Sequence, residues 1–169
     1  MLIDESWRGR GWVVETDIAN CFEAIPHDGL MAAIEERIVD RRLLMLVRGM
    51  LGAGVMEAGS IRRREAGTPQ GGVISPLLAN VYLHRFDRRW QTKGTGVLVR
   101  YADDLVAMCK NRREAERALQ ALEAILASMG LEPKPAKTRI VHLAEGGEGL
   151  DFLGFHHRWV RSRERTQRW

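Results

Sequence analysis

Val97-Leu98-Val99-Arg100-Tyr101-Ala102-Asp103-Asp104-Leu105-Val106-Ala107-Met108-Cys109 decides the fold. Two short apolar runs, 97–100 and 105–109, flank Tyr101-Ala102-Asp103-Asp104, a pattern that predicts a β-hairpin with both aspartates at its tip. Neighbouring carboxylates repel unless a cation lies between them, so the tip asks for a metal. A solvated turn is the bland alternative, because Asp is a common turn residue.

The surroundings argue against the bland alternative. Upstream, Trp12-Val13-Val14-Glu15-Thr16-Asp17-Ile18 reads as a buried strand with a carboxylate emerging near its end. If that strand neighbours the hairpin, Asp17, Asp103 and Asp104 converge. Hard oxygen donors of this kind suit Mg²⁺ with a phosphate completing its shell, and two such ions can clamp an in-line phosphoryl displacement.

Further out, Pro26 and a His27-Asp28-Gly29 turn are expected to close the first strand. Leu30, Ile34 and Ile38 then recur at helical spacing, and a second short helix follows Asp40, a good N-cap. The Gly-rich stretch 52–72, with Arg62-Arg63-Arg64 inside it, reads as a hairpin or loop. Ser75 as N-cap and Pro76 at the first helical position predict a helix whose Leu78, Tyr82, Phe86 and Trp90 share one face. Asn111 with Glu114 opens another amphipathic helix that closes at Gly130. A strand at 140–143 and a hairpin over 152–159 complete a β-α-β-β-α-β order, giving an α+β fold: an antiparallel sheet with helices packed on one face.

Composition sets the bounds. A chain of 169 residues, 45% hydrophobic and 28% charged, is an ordinary single folded domain that needs no disulfide or structural zinc. Cys21 and Cys109 are isolated, which suits a reducing, cytoplasmic setting. His156-His157 lacks partners at zinc spacing. No apolar run approaches the ~20 residues of a membrane span, and the charged N-terminus does not fit a signal peptide. The net charge is +4, and Lys occurs only at 93, 110, 134 and 137, so Arg supplies nearly all the basic character. Guanidinium forks match phosphates, which leans toward nucleic acid, although a GC-rich genome gives the same bias.

The motifs resemble the reverse transcriptases encoded by bacterial group II introns. DIANCFEAIPHDGLM (17–31) looks like the first acidic motif of the palm, GTPQGGVISPLLANVYL (67–83) like the nucleotide-pocket motif, and YADD (101–104) like the polymerase signature. GLEPKPAKTRI (130–140) is similar to the lysine-bearing motif and FLGF (152–155) to the primer grip.

The resemblance implies a polymerase palm over 1–155, with 28–68 reaching toward the fingers, and a basic tail over 156–169 that begins the thumb. It implies RNA-templated transfer of dNTPs to a DNA primer 3′-hydroxyl, assisted by two Mg²⁺ ions with Mn²⁺ as a substitute. The RNA would be intron RNA, in a bacterial cytoplasm. Asp17, Asp103, Asp104 and the Ile18 carbonyl would hold the metals. Ala19, Asn20, Phe22, Gln70 and Gly71 would bind the nucleotide, with the Phe22 ring excluding a 2′-hydroxyl. Lys137 would protonate the leaving pyrophosphate, with Lys134 close enough to compete for the role. Tyr101, Leu153, Gly154 and Arg158 would meet primer and template.

Fingers and thumb are largely missing from the motif map, so they are expected from flanking segments in cis or from a partner in trans. A chain without them is expected to extend a primer poorly. Two rival readings follow: a truncated or split palm that binds RNA or a partner chain without polymerising, and a domesticated or CRISPR-associated reverse transcriptase.

Overall fold

The computed structural model describes residues 2–53, 55–57, 60–62, 66–68, 73–144 and 147–158. Its centre is β1 (Trp12–Asp17), whose Val13 and Val14 are both fully buried although they face opposite sides of the sheet. A strand apolar on both faces belongs in the middle of a sheet, and β1 does. It pairs antiparallel with β5 (Asp104–Cys109) and β6 (Arg139–His142), and β4 (Val97–Tyr101) adds to β5 as an edge, giving the order β4-β5-β1-β6.

Helices fill one face. α3 (His27–Glu35), α5 (Ser75–Lys93) and α6 (Arg112–Ala127) bury Leu30, Leu83, Phe86, Leu122 and Leu126 against Val14, Leu105 and Ala107. α4 (Arg41–Gly52) starts at Asp40, whose carboxylate accepts from the amides of Arg42 and Leu43. α6 starts at Asn111, whose side chain accepts from the Glu114 amide at 2.8 Å, while the Glu114 carboxylate accepts from the Lys110 amide at 2.8 Å. Tyr82 donates its hydroxyl to the Met129 carbonyl at 2.6 Å, tying α5 to the end of α6. The expected α+β sheet with its helical layer is therefore present.

Several local expectations need correction. His27-Asp28-Gly29 is the first turn of α3, not a closing turn: Pro26 ends the extended segment and its carbonyl accepts the Leu30 amide. The N-cap of α5 is Ile74, so Ser75 lies one residue inside the helix, and no side-chain cap is made there. α1 (Leu2–Trp7) was not expected from the charged N-terminus; it packs on the sheet face opposite the other helices, touching β5. On that same face β7 (Leu150–Phe152) and β8 (Phe155–His157) form a hairpin earlier than the 152–159 placement, and Trp159 lies outside the described residues. Leu153 and Gly154 make its turn, with φ of 53° and 78°, the doubly positive geometry that closes two-residue hairpins.

Leu150 and Phe152 of this hairpin join Val13, Val106, Met108 and Val141 in a second, smaller apolar cluster. The sheet is therefore covered on both faces. Within 52–72, β2 (Val55–Glu57) and β3 (Ser60–Arg62) form the expected hairpin, while Arg63 and Arg64 lie outside the described residues. α2 (Cys21–Ala24) is a single turn after β1.

Candidate active site

Antiparallel register builds the acidic centre. Asp17, last in β1, lies directly opposite Asp104, first in β5, and the chain continues with the Ile18 amide donating to the Asp103 carbonyl at 3.1 Å. Asp104 is thus a strand residue. The hairpin turn is Ala102-Asp103, with Ala102 held at φ 51°, so only Asp103 stands at the tip where two aspartates were expected.

The carboxyls of Asp17 and Asp104 share a hydrogen bond. Burial, that hydrogen bond and the charges of Asp17 and Asp103 push Asp104 up to about 6. Burial also works to raise Asp17, but the hydrogen bonds from Asp104 and Lys137 outweigh it and hold Asp17 below its ordinary value. Lys137 is ion-paired with Asp17, and its ammonium holds its proton more tightly because of that bond.

The lysine is placed by the chain's return past the end of β1. Ala19 donates its amide to the Glu132 carbonyl at 2.8 Å and Lys134 its amide to the Asp17 carbonyl at 2.7 Å. Pro135–Lys137 then forms a short 3-10 turn. The Thr138 hydroxyl donates to the Lys134 carbonyl at 2.8 Å and lies 2.7 Å from the hydroxyl of buried Thr16.

A cavity of about 220 Å³ opens beside the acids, lined by Asp17, Ile18, Asn20, Phe22, Asp103 and Lys134, with Cys21 and Glu23 in its wall. Asn20 adopts a left-handed backbone (φ 45°) and its carbonyl accepts the amides of Glu23 and Ala24, so the chain turns sharply and brings the partly buried Phe22 to the cavity. Burial and the Asp103 charge push the Cys21 thiol up to about 12, which leaves it a space-filling group. The floor continues into the segment before α5. Thr68 donates its amide to the Phe22 carbonyl at 2.6 Å, and Gly67 donates to the Ile25 carbonyl at 2.8 Å. His27 Nε2 lies 2.6 Å from the Gly67 carbonyl. Gly67 has φ +97°, and a Cβ there would come within 3.0 Å of the Glu23 backbone, so the approach requires glycine.

Asp17, Ile18, Asn20, Phe22 and Asp103 therefore meet at one cavity, with Asp104 and Lys137 joined to Asp17. Ala19 contributes its backbone to the lysine-bearing segment. Gln70 and Gly71 lie outside the described residues. Tyr101 is exposed at the end of β4, across the turn from Asp104. Leu153 and Gly154 form the β7–β8 turn and Arg158 follows it, exposed; none of the three lines the cavity. Sequence reasoning missed the Thr16–Thr138 contact and the bonds of Arg100 described below, since neither has a spacing signal.

Among the described residues no three His, Cys, Asp or Glu side chains form a ready-made metal cage. Lys137 instead supplies the positive charge at Asp17. The donor chemistry nonetheless fits a hard cation: two carboxyls in contact, a third on the adjoining turn, and a cavity beside them.

Comparison with known proteins places the site in context. Residues 4–157 match the family model "Reverse transcriptase (RNA-dependent DNA polymerase)". The chain is 33% identical to protein YkfC of Escherichia coli K12 across 94% of its own length and 49% of that protein. It is 42% identical to the group II intron-encoded protein LtrA of Lactococcus lactis across 51% of its length and 14% of LtrA. It thus spans about half of the first relative and a smaller part of the second. Among solved structures, telomerase from Candida albicans superposes with a TM-score of 0.63 over 86% of this chain and 29% of that one, at 17% identity, a likeness of fold. No helix among the described residues is long and apolar enough to cross a membrane.

Proposed function

The chain belongs to the reverse transcriptase (RNA-dependent DNA polymerase) family, and on that premise we propose that it is the palm of an RNA-directed DNA polymerase of the group II intron type. Residues 1–155 form the palm, 28–68 extend toward fingers, and 156–169 begin a thumb. The RNA template is intron RNA, the primer DNA and the substrate a dNTP, in a bacterial cytoplasm. The observation that carries this reading is the Asp17–Asp104 contact with Asp103 on the next turn, at the mouth of a cavity that Phe22 also lines.

Asp17, Asp103 and Asp104, with the Ile18 carbonyl, would hold two Mg²⁺ ions, or Mn²⁺ in their place. Bound there, the metals would supply activation of the primer 3′-hydroxyl and neutralise charge developing on the transferred phosphoryl group. The chain's own residues do the rest. Lys137, ion-paired with Asp17, lies beside the carboxylates that would hold the metal, and from there its ammonium would face the leaving pyrophosphate. In the metal-free site Asp17 and the neighbouring carboxyls hold the ammonium protonated, the form that would deliver a proton to the departing oxygen. The Phe22 ring, in the cavity lining and with its backbone carbonyl bonded to the Thr68 amide, would exclude a sugar bearing a 2′-hydroxyl. Gln70 and Gly71 would border the nucleotide. Tyr101, Leu153, Gly154 and Arg158 would lie along the primer and template.

Primer extension tests the reading. A polypeptide carrying this palm with its fingers and thumb should extend oligo(dT) on poly(A) with Mg²⁺, and Asp103→Asn should abolish extension. Phe22→Ala should admit ribonucleotides. Extension that survives Asp103→Asn would refute the assignment.

A further inference from the structure

Arg100 makes four hydrogen bonds that together span the catalytic hairpin and the long helix behind it. Nε donates to Asp87 Oδ1 at 2.8 Å and Nη2 to Asp87 Oδ2 at 2.7 Å, a forked pair on α5. Nη1 reaches two further acceptors, Asn80 Oδ1 at 2.9 Å and the Ala102 carbonyl at 2.9 Å. The guanidinium is well covered, its side chain 13% exposed against 29% for Asp87.

The Ala102 carbonyl is the informative partner. Ala102 holds the left-handed backbone of the turn (φ 51°), a conformation that costs an alanine energy unless its surroundings impose it. Its carbonyl belongs to the peptide that leads into Asp103. Whatever fixes that peptide plane fixes the Asp103 backbone, whose own carbonyl receives the Ile18 amide. Asn80 and Asp87 lie two turns apart on one face of α5, the helix that follows the nucleotide-pocket segment. Arg100 therefore references the acidic turn to the long helix α5.

We propose that Arg100, seated on Asp87 and Asn80, is a positioning residue that sets the Ala102-Asp103 turn in its metal-binding geometry; this rests on the metal reading of the acidic centre. A lysine would keep the charge but offers no planar fork, so it cannot bind both Asp87 oxygens and the turn carbonyl together. Partners one step removed from a metal commonly change its affinity by about 10-fold or more when removed.

The test is Mn²⁺ binding to the full chain, followed by loss of the free-ion electron paramagnetic resonance signal, with thermal melting of each variant alongside. Arg100→Lys should weaken Mn²⁺ about 10-fold and Asn80→Ala by a smaller factor, whereas Arg112→Lys, at an exposed position at the start of α6, should bind as wild type. Arg100→Lys with wild-type affinity would overturn the proposal. If Arg100→Lys fails to melt cooperatively, Asn80→Ala decides: weaker binding supports the role and unchanged binding overturns it. A wild-type chain that leaves the free-ion signal untouched, or binding insensitive to Asp103→Asn, would instead refute the metal reading and the proposal with it.

Discussion

The acid pair predicts an inverted pH dependence of stability in the metal-free protein, and Asp104→Asn isolates it. Asp104 ionises near 3.8 in the unfolded chain and at about 6 in the fold, so between those values the folded state holds the proton that the unfolded state has lost. By linkage, Asp104's contribution is fully present below pH 4 and is lost as pH rises through 6. At full strength the displacement corresponds to roughly 3 kcal/mol. The group is only partly buried, and solvent screening reduces this to about 1 kcal/mol. Asp17, shifted down, contributes in the opposite sense, so the mutant comparison carries the test. Urea unfolding in metal chelator should show wild type losing about 1 kcal/mol relative to Asp104→Asn between pH 4 and 7. The asparagine preserves shape and a hydrogen-bonding partner for Asp17. Stability curves that stay parallel across that window would refute the reasoning.

Other perturbations follow from particular contacts. Tyr82→Phe removes the buried hydroxyl from the Met129 carbonyl without opening a cavity, and should cost about 1–3 kcal/mol by chemical denaturation. Thr138→Val leaves the buried Thr16 hydroxyl with a 3.2 Å contact to the Asp17 carbonyl; the expected loss is about 1 kcal/mol, together with a changed pH profile of primer extension as Lys137 loses its placement. Gly67→Ala forces a side chain into left-handed backbone against Glu23 and should cost more than about 1 kcal/mol, with nucleotide KM rising before kcat falls.

The hairpin and the first strand were legible because each is an apolar run next to acids, and a shared need for counter-charge argued that they are neighbours; their antiparallel register was not legible and is seen only in the structure. The caps at Asp40 and Asn111 were legible for the same local reason: a polar side chain satisfies amides two or three residues on. Ser75 misled because Pro76 tolerates more than one position in the first turn, so the cap slipped to Ile74. α1 carries little periodic signal in its six residues. Asp104 could not be told from Asp103 as a tip residue, since the turn is set by the left-handed Ala102, a choice no alanine announces. The bonds of Arg100, 13 and 20 residues from its partners, depend on how α5 lies across β4.

The antiparallel sheet also governs when this protein becomes competent. The residues that meet at the acidic centre come from near the beginning of the chain and from beyond its middle, and the Asp17–Lys137 contact closes over 120 positions. Such distant pairing is slow to form, because the entropy of closing the loop is lost before any contact rewards it. On a ribosome, the first strand must wait for both β5 and β6 to be synthesised before it has neighbours on either side. A nascent chain halted before residue 139 would leave one side of its central strand unpaired. Completion of the sheet around the acidic centre is thus a late event.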